Sequence, residues 1–398
     1  MKRRLLPILM TLVLVCALPI WAAFVTSGDV TNPLVCTAGA TLPDLQAKID
    51  AAADNATITL DSDTTITETL VITGKTLTLD LNGCTLRMTG TGSVLKVSGR
   101  ATLTITDSRP QNPHTGSYAG LPAGGVITGG KADRGGGILL GGGCTLKLTG
   151  GCITDCHAIG AGGGGVVLNG DTAILYMSGT ARIENCTAGE TWGANAIFNS
   201  GTMYADGGTV DGTVNNQGTI RLSEGAAAET VFNGTVYNRS AGTIKAGRYN
   251  ETVENRGTIT GGTFYGGVTD DGGTIEDGAY ETVKFNSDNG AQAKEEKVLR
   301  GQKVPNPAAP TKSGHTFIDW YLGVAPYDFD TPVTAPLTLT AKWEKVPSSG
   351  GYYYYPTTDA KTDDTKSSPK TADPGVALYA ALSLLSLTGM VALNGKKR

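Results

Sequence analysis

The stretch GTIKAGRYNETVENRGTITGGTFYGGVTDDGGTI, residues 242–275, repeats one phrase three times. Each copy opens with Gly-Thr-Ile, and Ile244, Ile259 and Ile275 are separated by 15 and then 16 residues. Looser copies of the triplet begin at residues 201 and 218. A unit this short cannot bury its apolar side chains alone, so neighbouring copies must stack on one another. The repeat therefore predicts a solenoid.

The composition of each copy favours β-strands over helices. An aromatic residue and a valine follow each isoleucine, and Gly, Thr, Asn and Asp separate them, without the three-to-four spacing of an amphipathic helix. Gly in a helix interior costs about 1 kcal/mol per residue, whereas it suits the corners between short strands. The copies are Ile244-Tyr249-Val253, Ile259-Phe264-Val268 and Ile275-Tyr280-Val283.

Polar residues recur at one predicted turn position. These residues are Asn216, Asn238, Asn255 and Asp271. In a stacked coil they would lie above one another, with side-chain amides bonding the backbone of the next turn. We interpret them as structural residues rather than ligand-binding ones.

A longer repeat precedes the short one. Residues 135–158 align with residues 163–188 at steps of 28 to 30, which place Leu146 on Leu175, Ile153 on Ile183 and Cys156 on Cys186. Further upstream, alternating apolar residues predict strands at 57–60, 70–72, 77–81, 86–88, 94–97 and 103–105. The predicted coils are therefore wide in the first half and narrow in the second.

The phrases TLTLDLNG at 76–83, ATLTITD at 101–107 and GGTF at 261–264 resemble those of right-handed parallel β-helix proteins, the pectin-lyase-like superfamily. The resemblance covers roughly residues 40–282 and implies an all-β, right-handed parallel β-helix solenoid spanning 28–282. About a dozen coils at about 4.8 Å each would make a rod on the order of 60 Å. Residues 41–53 form the one good helix before the C-terminus and suit an N-terminal cap over the first open coil.

The most irregular segment of the predicted solenoid spans residues 108–135. Long loops on a rigid scaffold often bind ligands, although a plain solvated loop is the alternative. The candidate binding residues here are Arg109, His114, Tyr118, Lys131, Asp133 and Arg134.

The cysteines are expected to be buried thiols rather than metal ligands. Cys84 and Cys144 begin similar phrases, as do Cys156 and Cys186, so we interpret them as buried thiols stacked at equivalent positions. The even number that remains after removal of a signal peptide also permits disulfides. One Cys-x3-Cys, Cys152 and Cys156, with a nearby His is not a ligand set, so we expect no metal and no cofactor.

Residues 283–345 form a different module, poorer in Gly and richer in Pro and aromatics. The phrase PTKSGHTFIDWY at 310–321 and LTLTAKW at 337–343 resemble an internalin-type B repeat, a small β-grasp-like domain of bacterial surface proteins. The resemblance implies a spacer or adhesion role. We expect an aromatic core, with ligand stacking as the alternative, from Phe317, Trp320, Tyr321, Phe329 and Trp343.

The two chain ends predict export and anchoring. Residues 1–27 read as a signal peptide with a basic start and an apolar run; cleavage could follow Ala23 or fall near Ser27, and an uncleaved anchor is the alternative. Residues 346–367 read as a disordered linker, 376–393 as a transmembrane helix and 394–398 as a basic cytoplasmic tail.

Residues 368–373, SPKTAD, resemble the Leu-Pro-x-Thr-Gly sorting signal of Gram-positive sortases. Pro369 and Thr371 match, whereas Ser368 and Ala372 depart from the pattern and Lys370 occupies its variable position. The resemblance implies a sortase and cell-wall peptidoglycan as partners; the alternative is a plain membrane anchor. Both place the protein at the surface of a Gram-positive cell.

Two functions remain open. The first is a wall- or membrane-anchored rod with an adhesive surface that binds glycan or a host surface. The second is a surface polysaccharide lyase or glycoside hydrolase, which requires carboxylates and a base in a groove beside residues 108–135. The formal charge of −4 over 398 residues gives no reason to expect nucleic acid.

Overall fold

The computed structural model describes residues 44–160, 162–189 and 193–347, and through Val346 they belong to one compact unit. Most of this unit is a parallel β-solenoid with three faces. The signal peptide, the sorting motif, the apolar segment 376–393, the basic tail and nearly all of the linker lie outside the described residues. Within those residues, no helix is long and apolar enough to cross a membrane.

Face one contains ten strands among the described residues, each parallel to the next. They are Ala56–Thr59, Thr76–Asp80, Thr102–Thr106, Thr145–Leu148, Ile174–Glu184, Thr202–Val210, Thr219–Arg221, Thr243–Ile244, Thr258–Ile259 and Thr274–Ile275.

Face two contains the second halves of the two long strands of face one, together with Thr64–Ile66, Thr85–Met88, Val126–Thr128, Cys152–Thr154, Val231–Phe232, Arg248–Tyr249 and Thr263–Phe264. Face three contains Leu70–Thr73, Leu95–Ser98, Ile138–Gly141, Val166–Asn169, Ile197–Asn199, Val214–Asn216, Val236–Asn238, Val253–Asn255 and Val268–Asp270. A short corner sheet adds Lys131–Ala132, His157–Ala158 and Thr187–Ala188.

The predicted registers of both repeats are confirmed. Leu146 pairs with Leu175 and Ile153 with Ile183 in the wide coils, and Ile244 pairs with Ile259 in the narrow ones. The inward side chains form one continuous apolar core. Within it the rings of Phe232, Tyr249 and Phe264 stack at centroid distances of 4.9 and 5.1 Å.

The predicted asparagine stack is present, with two corrections. Asn199 opens it, and Asp270 rather than Asp271 is in register with Asn255. The amides of Asn199, Asn216 and Asn238 each donate to the next amide oxygen, at 2.7, 2.8 and 2.7 Å, and to a backbone carbonyl. Asn255 donates to Thr274 O. Because Asp270 is exposed, the buried ladder ends at Asn255.

Among the described residues, the helix that caps the first coil runs Asp44–Ala51 and ends before the predicted residue 53, whereas residues 41–43 lie outside the described part of the chain. Leu45 and Ile49 enter the core. The side-chain amide of Gln46 replaces the backbone of a neighbouring strand. Its Oε1 accepts from Val71 N at 2.9 Å, and its Nε2 donates to Val71 O at 3.1 Å. Lys75 Nζ donates to three carbonyls near the end of the helix, including Ile49 O at 3.0 Å. The cap thus satisfies polar groups at the open edge of the solenoid.

A five-stranded sheet follows, made of Tyr280–Asn286, Lys294–Leu299, His315–Leu322, Ala325–Pro326 and Leu337–Lys345. The third predicted copy of the narrow repeat was wrong after Ile275, because Tyr280 and Val283 belong to this sheet. Trp320 is buried at its centre and contacts Phe285 and Phe317 edge to face. Tyr321 was wrongly placed in this core, whereas Tyr327 is part of it.

The second domain also closes the far end of the solenoid. Phe264 N donates to Arg300 O at 2.7 Å, and Gln302 Nε2 donates to Phe264 O and Tyr265 O. Leu299 packs on the solenoid core. The segment 300–302 therefore occupies the place of a further strand on face two.

Three predictions about the cysteines and the loop need correction. Cys84 directly precedes a strand of face two and Cys144 a strand of face one, so their similar phrases are not equivalent positions. Cys84 is disulfide-bonded, whereas Cys144, Cys152, Cys156 and Cys186 are free, buried thiols. The segment 108–135 is only partly a loop: it contains a 3-10 turn, Gly116–Tyr118, and strands on face two and in the corner sheet.

Candidate ligand-binding groove

Three arginines meet on the outside of face three. Arg239 directly follows the buried Asn238, and Arg256 directly follows the buried Asn255. Because the two asparagines are paired on neighbouring strands, the two arginines come from equivalent positions of neighbouring coils. Together with Arg134 they line an open groove of about 510 Å³. The groove also contains Phe198, Asn215, Gln217, Ser240 and Ala241.

Arg239 is the most enclosed of the three. Its guanidinium carbon lies 4.9 Å from the centre of the Tyr237 ring, and its Nε donates to Asn215 Oδ1 at 3.4 Å. Burial, and then the positive charge of Arg256, lower the pKa of Arg239 from its usual value. A ring and a neutral amide thus orient this guanidinium beside a like charge.

Three carboxylates outside the groove lining act on its arginines: the charge of Glu254 attracts Arg239, and Asp271 and Asp133 lie beside Arg256 and Arg134. Arg256 donates from Nε and an Nη to Asp271 Oδ2, both at 2.5 Å, and about half of each side chain is exposed. Arg134 Nε lies 4.0 Å from Asp133 Oδ2, a loose and exposed pair. None of the described residues that line the groove is acidic. Exposed ion pairs of this kind are worth about 0–1 kcal/mol, so an incoming anion can compete with them.

The six loop residues predicted as a binding site do not meet at one place. His114 Nε2 is 2.7 Å from Gly124 O, and Tyr118 is buried with its hydroxyl 3.1 Å from Thr65 Oγ1, so both hold the loop in position. Arg109 and Lys131 are exposed and lie outside the lining of the groove. Of the six, only Arg134 lines the groove, beside Asp133 at its edge.

A second cleft, of about 360 Å³, lies beside the segment 108–135, where the enzymatic hypothesis requires carboxylates and a base. Among the described residues that line it, Asp107 is the one carboxylate and Arg182 the one cation. Asp107 accepts backbone hydrogen bonds from Gly83 N at 2.7 Å and Gly125 N at 2.6 Å, and Arg182 donates to Ala123 O at 3.1 Å. Both side chains therefore fasten the loop, and the described lining of the cleft contains a single carboxylate, whereas glycoside hydrolysis commonly uses two.

Face one carries a closed aromatic stack. Tyr176 and Tyr204 stack at 4.4 Å, with Lys147 and Arg221 over the two rings at 5.9 and 5.3 Å from the ring centres. Cations cover both outer ring faces, so the stack offers no open platform. No group of His, Cys, Asp or Glu in the described part of the chain could hold a metal ion.

The groove contains residues that the sequence analysis missed. It assigned ligand binding to the wide coils, whereas Arg239 and Arg256 belong to the narrow ones. The missed signal is the dipeptide Asn-Arg, which occurs at 238–239 and again at 255–256 at the same position of the repeat.

Comparison with known proteins identifies the second domain. Residues 282–342 match the family model of the Listeria-Bacteroides repeat domain. A segment of 67 residues, 16% of this chain, is 39% identical to a "Putative membrane protein" and to a "Putative Gly-rich membrane protein", both of Evansella cellulosilytica. The matched segment spans only 10% and 8% of the length of those two relatives. No solved structure matches the chain.

Proposed function

We propose that this chain is an exported surface protein of a Gram-positive bacterium, in which a non-catalytic β-solenoid is displayed for adhesion. The Listeria-Bacteroides repeat carries the proposal, because such repeats occur in bacterial surface proteins; in addition, two relatives of a 67-residue segment of the chain bear the names of membrane proteins. The relationship of the solenoid to the right-handed pectin-lyase-like proteins belongs to the same proposal.

The proposal uses both chain ends. The signal peptide at 1–27 directs export, and residues 376–393 hold the C-terminus in the membrane with the basic tail inside. A sortase thiolate then attacks the Thr371 carbonyl, releases the chain from Ala372 onward, and passes Thr371 to an amine of the cell wall. The closed N-terminal cap and the docked repeat support the role of a stable spacer.

Fractionation of cells that express the full chain tests this proposal. We expect the protein to be accessible to external protease, and Thr371→Ala to move it from the wall fraction to the membrane fraction. A matched Thr365→Ala variant, in the linker, should leave it in the wall. Wall linkage that survives Thr371→Ala would contradict the sortase step, and a wholly cytoplasmic protein would contradict the proposal itself.

The enzymatic hypothesis has its own measurement. Purified full chain is incubated with acidic and neutral polysaccharides, and new reducing ends or unsaturated products are measured. We expect none, because Asp107 and Arg182 are engaged in holding the loop. Product formation that Asp107→Asn abolishes would replace adhesion with catalysis.

A further inference from the structure

The charge of the groove on face three points to an anionic ligand. Arg134, Arg239 and Arg256 line one open volume, although Arg134 is far from the other two in sequence. Burial of Arg239 beside Arg256 opposes its charge, as the direction of its pKa indicates. An oxyanion placed between the arginines would relieve this repulsion and accept charge-assisted, bidentate hydrogen bonds.

The length of the groove suits a chain rather than a single ion. The lining residues Phe198 and Asn215 lie on two successive strands of face three, and Arg239 and Arg256 directly follow the next two strands. Strands in a sheet are about 4.8 Å apart, so four of them span about 14 Å. A volume of about 510 Å³ is within the range of sites that enclose a ligand of several linked units.

The remaining lining favours a saccharide. The Phe198 ring is partly exposed and presents an apolar surface on which the C–H face of a sugar ring can pack. Gln217 and Ser240 are exposed and add an amide and a hydroxyl, which can exchange hydrogen bonds with sugar hydroxyls. A nucleic acid is less suited, because the chain as a whole is acidic, with a formal charge of −4.

We propose that Arg134, Arg239 and Arg256 bind the carboxylate or phosphate groups of an acidic oligosaccharide laid along face three. This inference rests on the proposed function, since it names the chemistry of the ligand that the displayed solenoid holds. The arginines supply the charge recognition, and Phe198 with the neighbouring amides supplies the contacts to the sugar units.

Binding is measured on the purified full chain in mild detergent, by calorimetry, with four probes. These are a galacturonate hexamer, a phosphorylated hexasaccharide, a neutral hexasaccharide and a single-stranded oligonucleotide. We expect one of the acidic saccharides to bind, and the one that binds better identifies the anion as carboxylate or phosphate. Failure of both acidic saccharides, binding of the neutral hexasaccharide as tight as that of the acidic ones, or tighter binding of the oligonucleotide overturns the assignment.

Variants locate the site. Arg239→Gln combined with Arg256→Gln should weaken binding at least about tenfold, the loss expected for a hydrogen bond to a charged group. Arg134→Gln, which changes an exposed residue outside the narrow coils, should also weaken binding of the acidic saccharide. A loss of binding in this variant as well would show that misfolding of the double variant is not the cause. The matched control is Arg248→Gln, an exposed arginine of face two that lies 4.7 Å from the Tyr265 ring centre.

Unchanged binding in both groove variants, or an equal loss in Arg248→Gln, overturns the proposal. The surface proposal is judged separately, because fractionation of cells does not depend on this binding. A surface-exposed protein that binds no acidic saccharide refutes only the ligand, and saccharide binding by a protein that remains in the cytoplasm refutes only the display role.

Discussion

At the scale of single residues, the asparagine ladder determines how the narrow coils stack. Asn216, Asn238 and Asn255 are fully buried, and each amide satisfies the one above it. A buried polar group that loses its partner costs about 1–3 kcal/mol, so the ladder is stable only when it is complete. Its members therefore depend on one another.

We expect Asn238→Ala to lower the free energy of unfolding by about 2–4 kcal/mol, because it removes a partner from both Asn216 and Asn255. The matched control is Asn250→Ala, which removes an exposed amide that donates to Asn233 Oδ1 at 2.7 Å and should cost less than about 0.5 kcal/mol. Denaturant unfolding of the full chain measures both. Equal losses would mean that burial of the ladder does not matter.

Tyr249 makes the core sensitive to high pH. It is fully buried, its hydroxyl donates to Ala246 O at 2.8 Å, and burial raises its pKa well above 10. Below pH 10 the phenol is neutral in both the folded and the unfolded chain, so the stability is unaffected. Above pH 10 the unfolded chain loses this proton first, and stability should fall by up to about 1.4 kcal/mol per pH unit for this group.

A comparison of Tyr249→Phe with the native chain between pH 8 and 11.5 isolates the effect. The variant should start less stable, because Ala246 O loses its donor, and should then lose stability less steeply as the pH rises. Parallel curves for the two proteins would show that Tyr249 does not contribute.

The buried thiols should resist modification in the folded protein. Burial raises the pKa of Cys152, and a hydrogen bond with Cys186 together with burial raises the pKa of Cys156 well above its usual value. Because the thiolate is the reactive species, we expect Cys144, Cys152, Cys156 and Cys186 to react with iodoacetamide at pH 8 only after denaturation. Mass spectrometry of native and denatured samples counts the labels, and rapid labelling of the folded chain would be inconsistent with this core.

At the scale of elements, the two ends of the solenoid are closed by different means. A helix bonds the first strand of face three through Gln46, and the segment 300–302 bonds the last strand of face two. Gly301 is required there because its φ is +94° and a Cβ would lie 2.8 Å from Phe264 N. The second domain is therefore part of the solenoid's end and not only a spacer.

We expect Gly301→Ala to destabilise the chain more than Gly314→Ala. Both glycines have positive φ, which costs an alanine roughly 1–2 kcal/mol, but Gly314 has no atom within 4 Å of a new Cβ. Only Gly301→Ala should also separate segment 300–302 from Phe264 and speed cleavage by protease. Limited proteolysis with mass spectrometry locates the cleavage, and equal protection of the two variants would argue against a closing role.

At the scale of the whole molecule, the second domain covers backbone groups that would otherwise form an exposed strand edge. An uncovered edge pairs readily with another chain. Truncation after residue 276 should therefore produce concentration-dependent self-association, whereas truncation after residue 346 should not exceed the association of the full chain. Sedimentation velocity over a range of concentrations measures this, and a monomeric 276-residue chain would show that the solenoid closes itself.

The sequence alone determined the stacking, its register and the position of the second domain. The stacking and its register follow from local periodicity, because equivalent residues of a short repeat must lie above one another. The second domain follows from its lower Gly content and its aromatic phrases. The same reasoning was wrong where similar phrases occupy different positions in the coil. Cys84 and Cys144 precede strands of different faces. Asp270, not Asp271, is in register with the asparagine ladder, and Asp271 pairs with Arg256.

Only the tertiary structure decided which outward side chains meet. Arg134 belongs to the wide coils and Arg239 and Arg256 to the narrow ones, and the groove exists because the path of the wide coils brings Arg134 to the outside of face three. The closing of the solenoid by Arg300 and Gln302 is likewise a contact between domains. Periodicity specifies which side of a strand a residue faces. The distance between two outward residues from different coils depends instead on the backbone conformation of all the turns between them.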